Sequence, residues 1–352
     1  MDIETKLDLI KSEPTEEIIT EPALRRLLET NDRPVHYIGL EISGMPHLGT
    51  IFVNGKKIND FAAAGVKTNI LLSDWHTFAN NKLGGDWDKI KKLAGFYRKI
   101  FNIVCPKANV VLGSDLYADN DEFWKLTMKF AARTTMARAT RTLIIAGRSE
   151  KDTLHVSQYM YPIMQAADIS ALDVDIPHAG MDQRKVNMLA LELFKEMGMK
   201  QTVPIHHHLL MSLTEPGKVS ADASKEEIAA AMKMSKSKPG SAVPALATED
   251  EVKSILSKAW CPMGEAKMNP VLELFRYLIL PAQGSVKIER KKEYGGDVVY
   301  TAYKDLESDF IQKKLHPIDV KIAAGRAINE MLSPLEHQFS TDKNEMLKLL
   351  SQ

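Results

Sequence analysis

The feature that most constrains the fold of this sequence is an alternation of strand-like and helix-like segments that begins at residue 34. The apolar runs VHYIGLEI and TNILLSDW are each followed by a longer stretch with helical periodicity, and ANVVLGS forms a third apolar run. Strands that alternate with helices of this length form βαβ units, in which the strands are parallel. The alternation therefore predicts an α/β fold with a parallel sheet.

The alternation stops and resumes along the chain, and this divides it into segments. Two further strands, VDIPHAG and TVPIHHHLL, follow helices later in the sequence, and helical patterns dominate from residue 248 onward. We predict four segments: a helical extension (1–33), an α/β domain (34–213) with a helical insertion at about 115–158, a connecting loop (214–247) and a mainly α-helical C-terminal domain (248–352).

Charge and composition restrict the cellular setting and the partners. Lysine plus arginine and aspartate plus glutamate both number 46, so a polyanionic partner has to be bound by local basic patches. Cys105 and Cys261 match neither a metal motif nor a disulfide framework, which favours a reducing compartment. The N-terminus lacks the apolar core of a signal peptide, and no run approaches the ~18 apolar residues of a membrane span. We expect a cytoplasmic protein without a membrane partner.

One segment, residues 125–148, carries six basic residues and no acidic one. Lys125, Lys129 and Arg133 recur at a spacing of four, which places them on one face of a helix, and Arg141 and Arg148 follow. A solvated face that balances acidic neighbours is one interpretation. Contact with phosphates is the one we favour.

Two glycine-containing turns join strands to helices. In EISGMPHLGT, Gly44 and Gly49 let a ligand approach the backbone, and His47 can donate to a phosphoryl oxygen next to a helix N-terminus. In AGMDQRK, Asp182 can accept a hydrogen bond from a ribose hydroxyl. Each motif also has a purely structural interpretation, as a turn histidine and as a carboxylate that stabilises its own helix dipole.

A polar stripe and a basic loop complete the candidate chemistry. Tyr161, Gln165 and Asp168 share one face of the helix YPIMQAAD, with Pro162 expected in its first turn. This face suits a small polar ligand, although an internal hydrogen-bond network remains an alternative. In AMKMSKSKPG, the lysines can neutralise a polyphosphate, or the segment can be a basic linker.

The order HLGT, GMDQRK, KMSKS resembles that of the class I aminoacyl-tRNA synthetases, with Thr50 at a position where that class usually has histidine. Over roughly residues 34–340, the chain is similar to the archaeal and eukaryotic tyrosyl-tRNA synthetases. The motifs that carry this similarity are YIGLEISGMPHLG, YPIMQAADI, GMDQRK, KMSKSKPGSA, YGGD and LHPIDVK. The resemblance implies a Rossmann-like catalytic domain with a helical insertion, followed by a helical anticodon-binding domain. Two positions depart from the family: Tyr117 stands where relatives often have glutamine, and Ala179 where they often have glycine.

The resemblance implies substrates and residue roles. Tyr37 and Asp168 are expected to bind the phenol hydroxyl of L-tyrosine, and Tyr161, Gln165 and Gln183 its α-amino end. The residues expected at ATP are Gly44, His47, Gly49, Thr50, Asp182, Met234, Ser235 and Lys236. Of these, His47 and Lys236, together with Lys233, are expected to be catalytic. The residues expected at tRNA(Tyr) are Arg141, Tyr294, His316 and Asp319. The family also implies Mg²⁺ bound with ATP, no dedicated protein metal site, and a homodimer.

Three alternatives remain. A tryptophanyl-tRNA synthetase shares the fold, but an indole has no hydroxyl to match Tyr37 and Asp168. A non-catalytic tRNA-binding paralogue is the second, and a nucleotidyltransferase on a related fold is the third. Trp75 and His76 follow a strand and are expected either to line the pocket or to pack in the core. His206, His207 and His208 alternate across a strand, so they cannot share one metal ion.

Overall fold

The computed structural model of the chain describes residues 1–142, 154–217, 223–236, 238–339 and 342–351. Arg148 of the basic segment and Ser237 of the lysine-rich loop lie outside the described residues. The chain forms two compact units. The first unit comprises residues 1–44, 55–208 and 221–230, and the second comprises residues 45–54, 209–220 and 231–352.

The first unit is built on a six-stranded sheet with the order β1-β6-β5-β2-β3-β4. Its strands are β1 (Thr15–Ile18), β2 (Val35–Leu40), β3 (Lys67–Leu72), β4 (Asn109–Leu112), β5 (Ile176–Gly180) and β6 (Ile205–His207). All neighbouring strands are parallel except β1, which runs antiparallel to β6. The predicted α/β class with its parallel sheet is confirmed.

Helices follow or flank each strand of this unit. They are α1 (Ile3–Lys11), α2 (Glu21–Thr30), α3 (Asn54–Ala63), α4 (Asp74–Ala79), α5 (Trp87–Val104), α6 (Gly113–Tyr117), α7 (Asp121–Ala131), α8 (Met136–Thr140), α9 (Val156–Ala171), α10 (Arg184–Glu196) and α11 (Lys225–Met232). The run TNILLSDW is not strand throughout: β3 ends at Leu72, and α4 begins at Asp74.

The sequence predicts a helical N-terminal extension, but the structure also contains a strand there, since β1 lies between α1 and α2. The Glu17 carboxylate of β1 accepts a 2.8 Å hydrogen bond from Arg184 Nε and lies 2.9 Å from His206 Nδ1. The Lys57 ammonium donates to the carbonyl oxygens of Leu9 and Ile10 at the end of α1. The four-residue strand TEEI is largely polar and has no apolar alternation. Its local sequence therefore does not predict a strand that pairs with β6.

The two faces of the sheet carry different side chains because consecutive strand residues point in opposite directions. Tyr37 of β2 packs in one apolar cluster with Ile163 and Ala167 of α9. His36, the preceding residue, stacks on Phe61 of α3, with ring centroids 4.3 Å apart. One face of β2 therefore packs against α9, and the other is covered by α3 and the N-terminal helices.

The basic segment is not one continuous helix. Helix α7 ends at Ala131 and α8 begins at Met136, so Arg133 does not continue the face of Lys125 and Lys129. Arg138 forms a two-pronged ion pair with Glu192 of α10 at 2.8 and 2.9 Å, and Arg133 lies 3.3 Å from Glu196 of the same helix. For these two arginines, the interpretation that they balance acidic neighbours fits better than phosphate contact.

The second unit is mainly helical. It contains α12 (Glu249–Lys258), α13 (Pro270–Leu274), a π-helical turn (Phe275–Ile279), α14 (Leu280–Gln283), α15 (Tyr303–Ile311), α16 (Pro317–Gln338) and α17 (Asp342–Ser351). An antiparallel pair, β7 (Val286–Ile288) and β8 (Val298–Tyr300), was not predicted. It flanks the YGGD turn, where Gly295 and Gly296 adopt φ angles of 94° and 70°, which favour glycine.

Helix α16, with 22 residues, has the length of a membrane span but not its composition. Its buried residues, among them Val320, Ala324 and Ile328, recur at helical spacing, and charged residues occupy other positions. Across the part of the chain that the structure describes, no helix combines the length and apolar character needed to cross a membrane.

Candidate active site

The polar stripe of α9 lies in the first unit. Tyr161 and Asp168 are buried, and the Gln165 amide donates to Gln183 Oε1 at 3.4 Å. The sequence predicts Pro162 in the first turn of this helix. The helix begins at Val156, however, so Pro162 lies in its interior. The shift does not alter the face that the stripe occupies, because that face depends only on the spacing of the three residues.

Asp168 is the centre of a buried polar cluster. The Tyr117 hydroxyl donates a 2.5 Å hydrogen bond to Asp168 Oδ1, and His76 Nε2 lies 3.4 Å from Asp168 Oδ2. Among the described residues, Asp168 Oδ2, His76 Nε2 and the Tyr37 hydroxyl are buried without a hydrogen-bond partner. Buried polar atoms in folded proteins are almost always hydrogen bonded, so these three atoms indicate a place for a polar ligand group.

Burial sets the ionisation of this cluster. It raises the pKa of Asp168 to about 8, opposed by the Tyr117 hydrogen bond and reinforced by the charge of Asp74. Burial also raises the pKa of Tyr37 and lowers that of His76 to about 3. At neutral pH, Tyr37 keeps its proton and His76 is uncharged. Asp168 itself becomes ionised as pH rises through about 8. A ligand hydroxyl between Tyr37 and the ionised Asp168 can accept from the first and donate to the second.

The cluster includes two residues that the sequence did not assign. Tyr117, which stands where relatives often have glutamine, is buried and hydrogen bonded directly to Asp168. The sequence allows His76 either a pocket or a core position, and its ring makes an edge contact with the Tyr161 ring at a centroid distance of 4.8 Å. No local pattern distinguishes Tyr117, since its role depends on a residue 51 positions away.

A glycine in β2 makes room for one of these hydroxyls. A Cβ atom at Gly39 would lie 3.1 Å from the Tyr37 hydroxyl oxygen, closer than ordinary van der Waals contact. Glycine inside a strand weakens it and often marks a close approach. The polar cluster beside Tyr37 supplies the reason for it here.

The AGMDQRK motif also lies in the first unit, directly after β5. Residues Met181–Gln183 form a short 3₁₀ turn that leads into α10, and Asp182 is buried in it. Arg184 pairs with Glu17 at 2.8 Å and with Glu226 of α11 at 3.2 Å.

Two other positions named in the sequence analysis also lie in the first unit. Gly44 has φ 148°, and its carbonyl oxygen accepts a 2.8 Å hydrogen bond from the Tyr97 hydroxyl. Ala179, in β5, is buried.

The second unit brings the HLGT turn next to the residues that follow the lysine-rich loop. His47 forms an antiparallel bridge with Pro244. The amide of Leu48 donates to the Val243 carbonyl at 3.1 Å, and the Ala245 amide donates to Pro46 at 2.8 Å. The HLGT turn and the segment that directly follows the lysine-rich loop, almost 200 residues apart in sequence, thus share backbone hydrogen bonds.

His47 is uncharged at neutral pH in this setting. Burial, followed by the charges of Lys236 and Lys233, lowers its pKa to about 3. Thr50 Oγ1 lies 3.3 Å from His47 Nε2, and a Cβ atom at Gly49 would lie 3.2 Å from the imidazole Cε1. Thr50 therefore contacts the imidazole directly, and Gly49 leaves space for the ring.

The lysine-rich loop is held at both ends. The Met234 amide donates to the Leu210 carbonyl at 2.8 Å, and Lys233 forms a bridge with Met211. The buried Ser241 hydroxyl lies 2.7 Å from the Ser235 carbonyl oxygen. Met234 is buried, Ser235 and Lys236 are half-buried, and Lys238 is exposed. At the other end, the Leu213 amide donates to the Ser241 carbonyl oxygen at 2.9 Å, and within the loop the Ser241 amide donates to the Lys238 carbonyl oxygen at 3.2 Å.

The residues predicted to contact tRNA are on the surface of their elements. Tyr294 is 65% exposed and precedes the Gly-Gly turn. His316 caps α16, where its Nδ1 accepts from the Ile318 amide at 3.2 Å, and Asp319 lies in the first turn. In the first unit, Arg141 is exposed at the end of α8.

A parallel α/β sheet with these signature segments and a buried polar cluster is typical of a class I aminoacyl-tRNA synthetase. The model of the class I tRNA synthetases for tryptophan and tyrosine matches residues 29–333. The chain is 41% identical to the tyrosine–tRNA ligase of Thermococcus kodakarensis over 359 aligned residues, which cover 96% of each chain. It belongs to the tyrosine–tRNA ligase family.

Solved structures agree with this assignment. The chain matches a tyrosyl-tRNA synthetase from Pyrococcus horikoshii, solved with L-tyrosine, at 38% identity and a TM-score of 0.91 over the whole of both chains. A tryptophanyl-tRNA synthetase from Aeropyrum pernix matches at 16% identity and a TM-score of 0.68, over 93% of this chain and 84% of that one. The second similarity shows the shared fold alone.

Proposed function

We propose that this enzyme activates L-tyrosine with ATP to form tyrosyl-adenylate and then transfers the tyrosyl group to tRNA(Tyr). Curated relatives named tyrosine–tRNA ligase match along nearly the whole chain, and a similar solved structure holds L-tyrosine. These similarities support the overall reaction. The buried polar cluster of the first unit supports the choice of amino acid.

The observation that carries the proposal is the set of unpaired atoms at Asp168 Oδ2 and the Tyr37 hydroxyl. When Asp168 is ionised, the phenol of a bound tyrosine can donate to the first atom and accept from the second. Phenylalanine would leave both atoms buried and unpaired, and tryptophan brings an indole without a hydroxyl. Discrimination against phenylalanine on the order of 10⁵ is known for synthetases of this very kind, so no editing domain is required.

The remaining polar groups of α9 suit the other end of the substrate. We assign Tyr161, Gln165 and Gln183 to the α-amino group of tyrosine. Gln165 and Gln183 already face one another across 3.4 Å. Hydrogen bonds to the α-amino group orient the tyrosine carboxylate for attack on ATP. Positioning of reacting groups supplies a large part of the rate enhancement in such reactions.

Activation is a displacement at phosphorus. A carboxylate oxygen of tyrosine attacks the α-phosphorus of ATP, the bond to the bridging oxygen breaks, and pyrophosphate leaves with its Mg²⁺. A ribose hydroxyl of the terminal adenosine of the tRNA then takes the acyl group and AMP leaves. Neither step needs a protein nucleophile, so the enzyme contributes orientation and charge stabilisation.

We assign the ATP phosphates to the second-unit residues His47, Lys233 and Lys236. The two lysine charges that depress the pKa of His47 are suited to the negative charge that develops on pyrophosphate. A neutral His47 has one N–H, and because its Nδ1 accepts from the Thr50 amide, that N–H lies on Nε2, 3.3 Å from Thr50 Oγ1. We assign His47 and Thr50 together to a phosphate oxygen. Further residues assigned to ATP by the resemblance are Gly44, Gly49, Thr50, Asp182 (at the ribose), Met234 and Ser235.

For tRNA(Tyr), we assign Tyr294 to stacking on the first anticodon base and His316 and Asp319 to its edge. The exposed ring of Tyr294 offers the stacking surface that single-stranded bases require. Arg141 is assigned to the first acceptor base pair. Following the family, we also propose that the enzyme acts as a homodimer in the cytoplasm.

Tyrosine-dependent exchange of labelled pyrophosphate into ATP tests the proposal. Exchange with tyrosine, but not with tryptophan or phenylalanine, is expected. Exchange that is stronger with tryptophan would replace the substrate assignment. No exchange with any amino acid, together with retained binding of tRNA(Tyr), would indicate a non-catalytic tRNA-binding protein.

A further inference from the structure

Three histidines form a hydrogen-bonded chain across the face of the sheet opposite the tyrosine pocket. His36 Nε2 lies 3.1 Å from His178 Nδ1, and His178 Nε2 lies 2.8 Å from His207 Nδ1. The three residues come from the adjacent strands β2, β5 and β6, and all three are buried. The reaction described above uses none of them.

All three imidazoles are uncharged at neutral pH. Burial lowers the pKa of His36 and of His207 to about 3, and that of His178 well below its ordinary value. A neutral imidazole has one N–H and one acceptor nitrogen. The chain of two hydrogen bonds must therefore run in a single direction, with every ring protonated on Nε2 or every ring protonated on Nδ1.

The surroundings of His36 select the direction. Its Nδ1 is buried and has no hydrogen-bond partner among the described residues. The Phe61 ring stacks on the imidazole, and the nearby charge of Lys57 is positive. An N–H at this position would be an unpaired buried donor beside a cation, whereas a lone pair there costs less. The Nε2–H form is thus favoured for all three rings.

In this direction, the last proton of the chain lies on His207 Nε2, near the ribose-binding motif. His207 ends β6 and pairs with Gly180, two residues before Asp182. The Asp182 carboxylate acts electrostatically on His207, where it partly offsets the effect of burial on the pKa. A carboxylate is the strongest partner available for an imidazole N–H.

We propose that His36, His178 and His207 form a relay that directs the Nε2–H of His207 to the Asp182 carboxylate, so that His207 is a positioning residue for the aspartate that binds the ATP ribose. The ribose role of Asp182 belongs to the proposed function, and this inference rests on it. The relay fixes the tautomer of His207 by two hydrogen bonds, much as outer partners fix the ring of a metal-bound histidine.

The first test requires no mutation of the relay. In protein labelled with ¹⁵N-histidine, long-range ¹H–¹⁵N correlations distinguish Nε2–H from Nδ1–H rings. The relay predicts Nε2–H for all three residues, and replacement of Asp182 by asparagine (D182N) should shift the His207 nitrogens. An Nδ1–H form of any of the three rings, or His207 nitrogen shifts that are unchanged in D182N, would overturn the proposed relay. This readout does not depend on catalysis, so it is separate from a failure of the proposed reaction.

The second test measures the consequence for ATP. The variant His178→Leu breaks both hydrogen bonds and should raise the KM for ATP about tenfold or more, the effect of weakening one charge-assisted hydrogen bond. The KM for tyrosine should stay within twofold. Because the ribose hydroxyls are the proposed contacts, the preference for ATP over 2′-deoxy-ATP or 3′-deoxy-ATP should fall in parallel. Equal losses for both substrates, or an unchanged preference for ATP, would contradict the relay.

His206 provides a matched control. It is buried like its neighbour His207, but it contacts Glu17 and Asn187 instead of the relay. The variant His206→Gln should leave the selectivity between ATP and its deoxy analogues unchanged. A loss of selectivity equal to that of His178→Leu would mean that any disturbance of β6 has this effect, and would overturn the specific role of the relay.

Discussion

The Tyr117 hydroxyl donates a 2.5 Å hydrogen bond to Oδ1 of Asp168, which leaves Oδ2 as the oxygen without a partner. Within the part of the protein that the structure describes, only Oδ1 of this carboxylate accepts a hydrogen bond. The imidazole nitrogen that the structure places beside Oδ2 is His76 Nε2, at 3.4 Å. The bond fixes the orientation of the carboxyl group and directs the other oxygen to a ligand. It also favours the ionised form of Asp168 against the opposing effect of burial on its pKa.

The variant Tyr117→Phe is expected to raise the KM for tyrosine without a comparable change in the KM for ATP. Above pH 8, where Asp168 is ionised, loss of a hydrogen bond to a charged group costs about 1.5–3 kcal/mol, so an increase of roughly tenfold to a hundredfold is expected there. Pyrophosphate exchange measured against each substrate gives both constants. Tyr300→Phe is a matched control, because it removes a 2.7 Å tyrosine–aspartate hydrogen bond to Asp309 in the second unit. An unchanged KM for tyrosine in Tyr117→Phe would refute the orienting role.

The variant Asp168→Asn should abolish most tyrosine-dependent exchange and yet stabilise the fold at alkaline pH. The pKa of Asp168 is about 8 in the folded protein and about 4 in an unfolded chain. Between these values the folded state holds the extra proton, so the contribution of Asp168 to the free energy of unfolding falls as pH rises, by up to about 1.4 kcal/mol per pH unit. Asparagine does not titrate, so the variant lacks this decrease in the free energy of unfolding as pH rises.

Thermal unfolding of the wild type and of Asp168→Asn at pH 5, 7 and 8 measures the difference. The gap in melting temperature should widen in favour of the variant as pH rises. A gap that does not depend on pH would show that Asp168 is ionised throughout this range. Loss of exchange together with a lower melting temperature at every pH would indicate a folding defect.

Lys236 and Lys238 are two lysines of the same loop with different surroundings. Lys236 is half-buried and its charge acts on His47, whereas Lys238 is exposed. Lys236→Ala should lower the kcat of activation by about 10²-fold, the usual effect of removing one group that stabilises developing charge, with little change in the KM for tyrosine. Lys238→Ala should have a much smaller effect. Equal losses in the two variants would mean that only the general charge of the loop matters.

Replacement of Asp319 by alanine should impair tRNA charging and leave amino-acid activation unchanged. Its carboxylate lies in the first turn of α16, where it also stabilises the helix dipole by about 0.3–1 kcal/mol. Asp305 occupies the first turn of α15, so Asp305→Ala controls for that stability cost. Asp319→Ala should reduce aminoacylation of tRNA(Tyr) while pyrophosphate exchange stays normal. A parallel reduction in Asp305→Ala would argue against a direct contact with the anticodon.

Local patterns in the sequence predicted several elements well. The α/β class and the polar face of α9 follow from the spacing of nearby residues, which fixes secondary structure and the direction of side chains. The family motifs likewise lie in continuous segments such as HLGT and GMDQRK. Where the local pattern was weak, as in the polar strand β1, or interrupted, as between α7 and α8, the prediction was wrong or incomplete.

The sequence by itself determined which residues could take part in the chemistry, because residue type and local spacing are properties of short segments. Only the tertiary structure decided which of them meet. Tyr117 reaches Asp168 across 51 positions, and His36 reaches His178 across 142. These contacts depend on the strand order β1-β6-β5-β2-β3-β4, which places β2 beside β5 and β5 beside β6. No short segment encodes that order, since it results from the packing of the whole sheet against its helices.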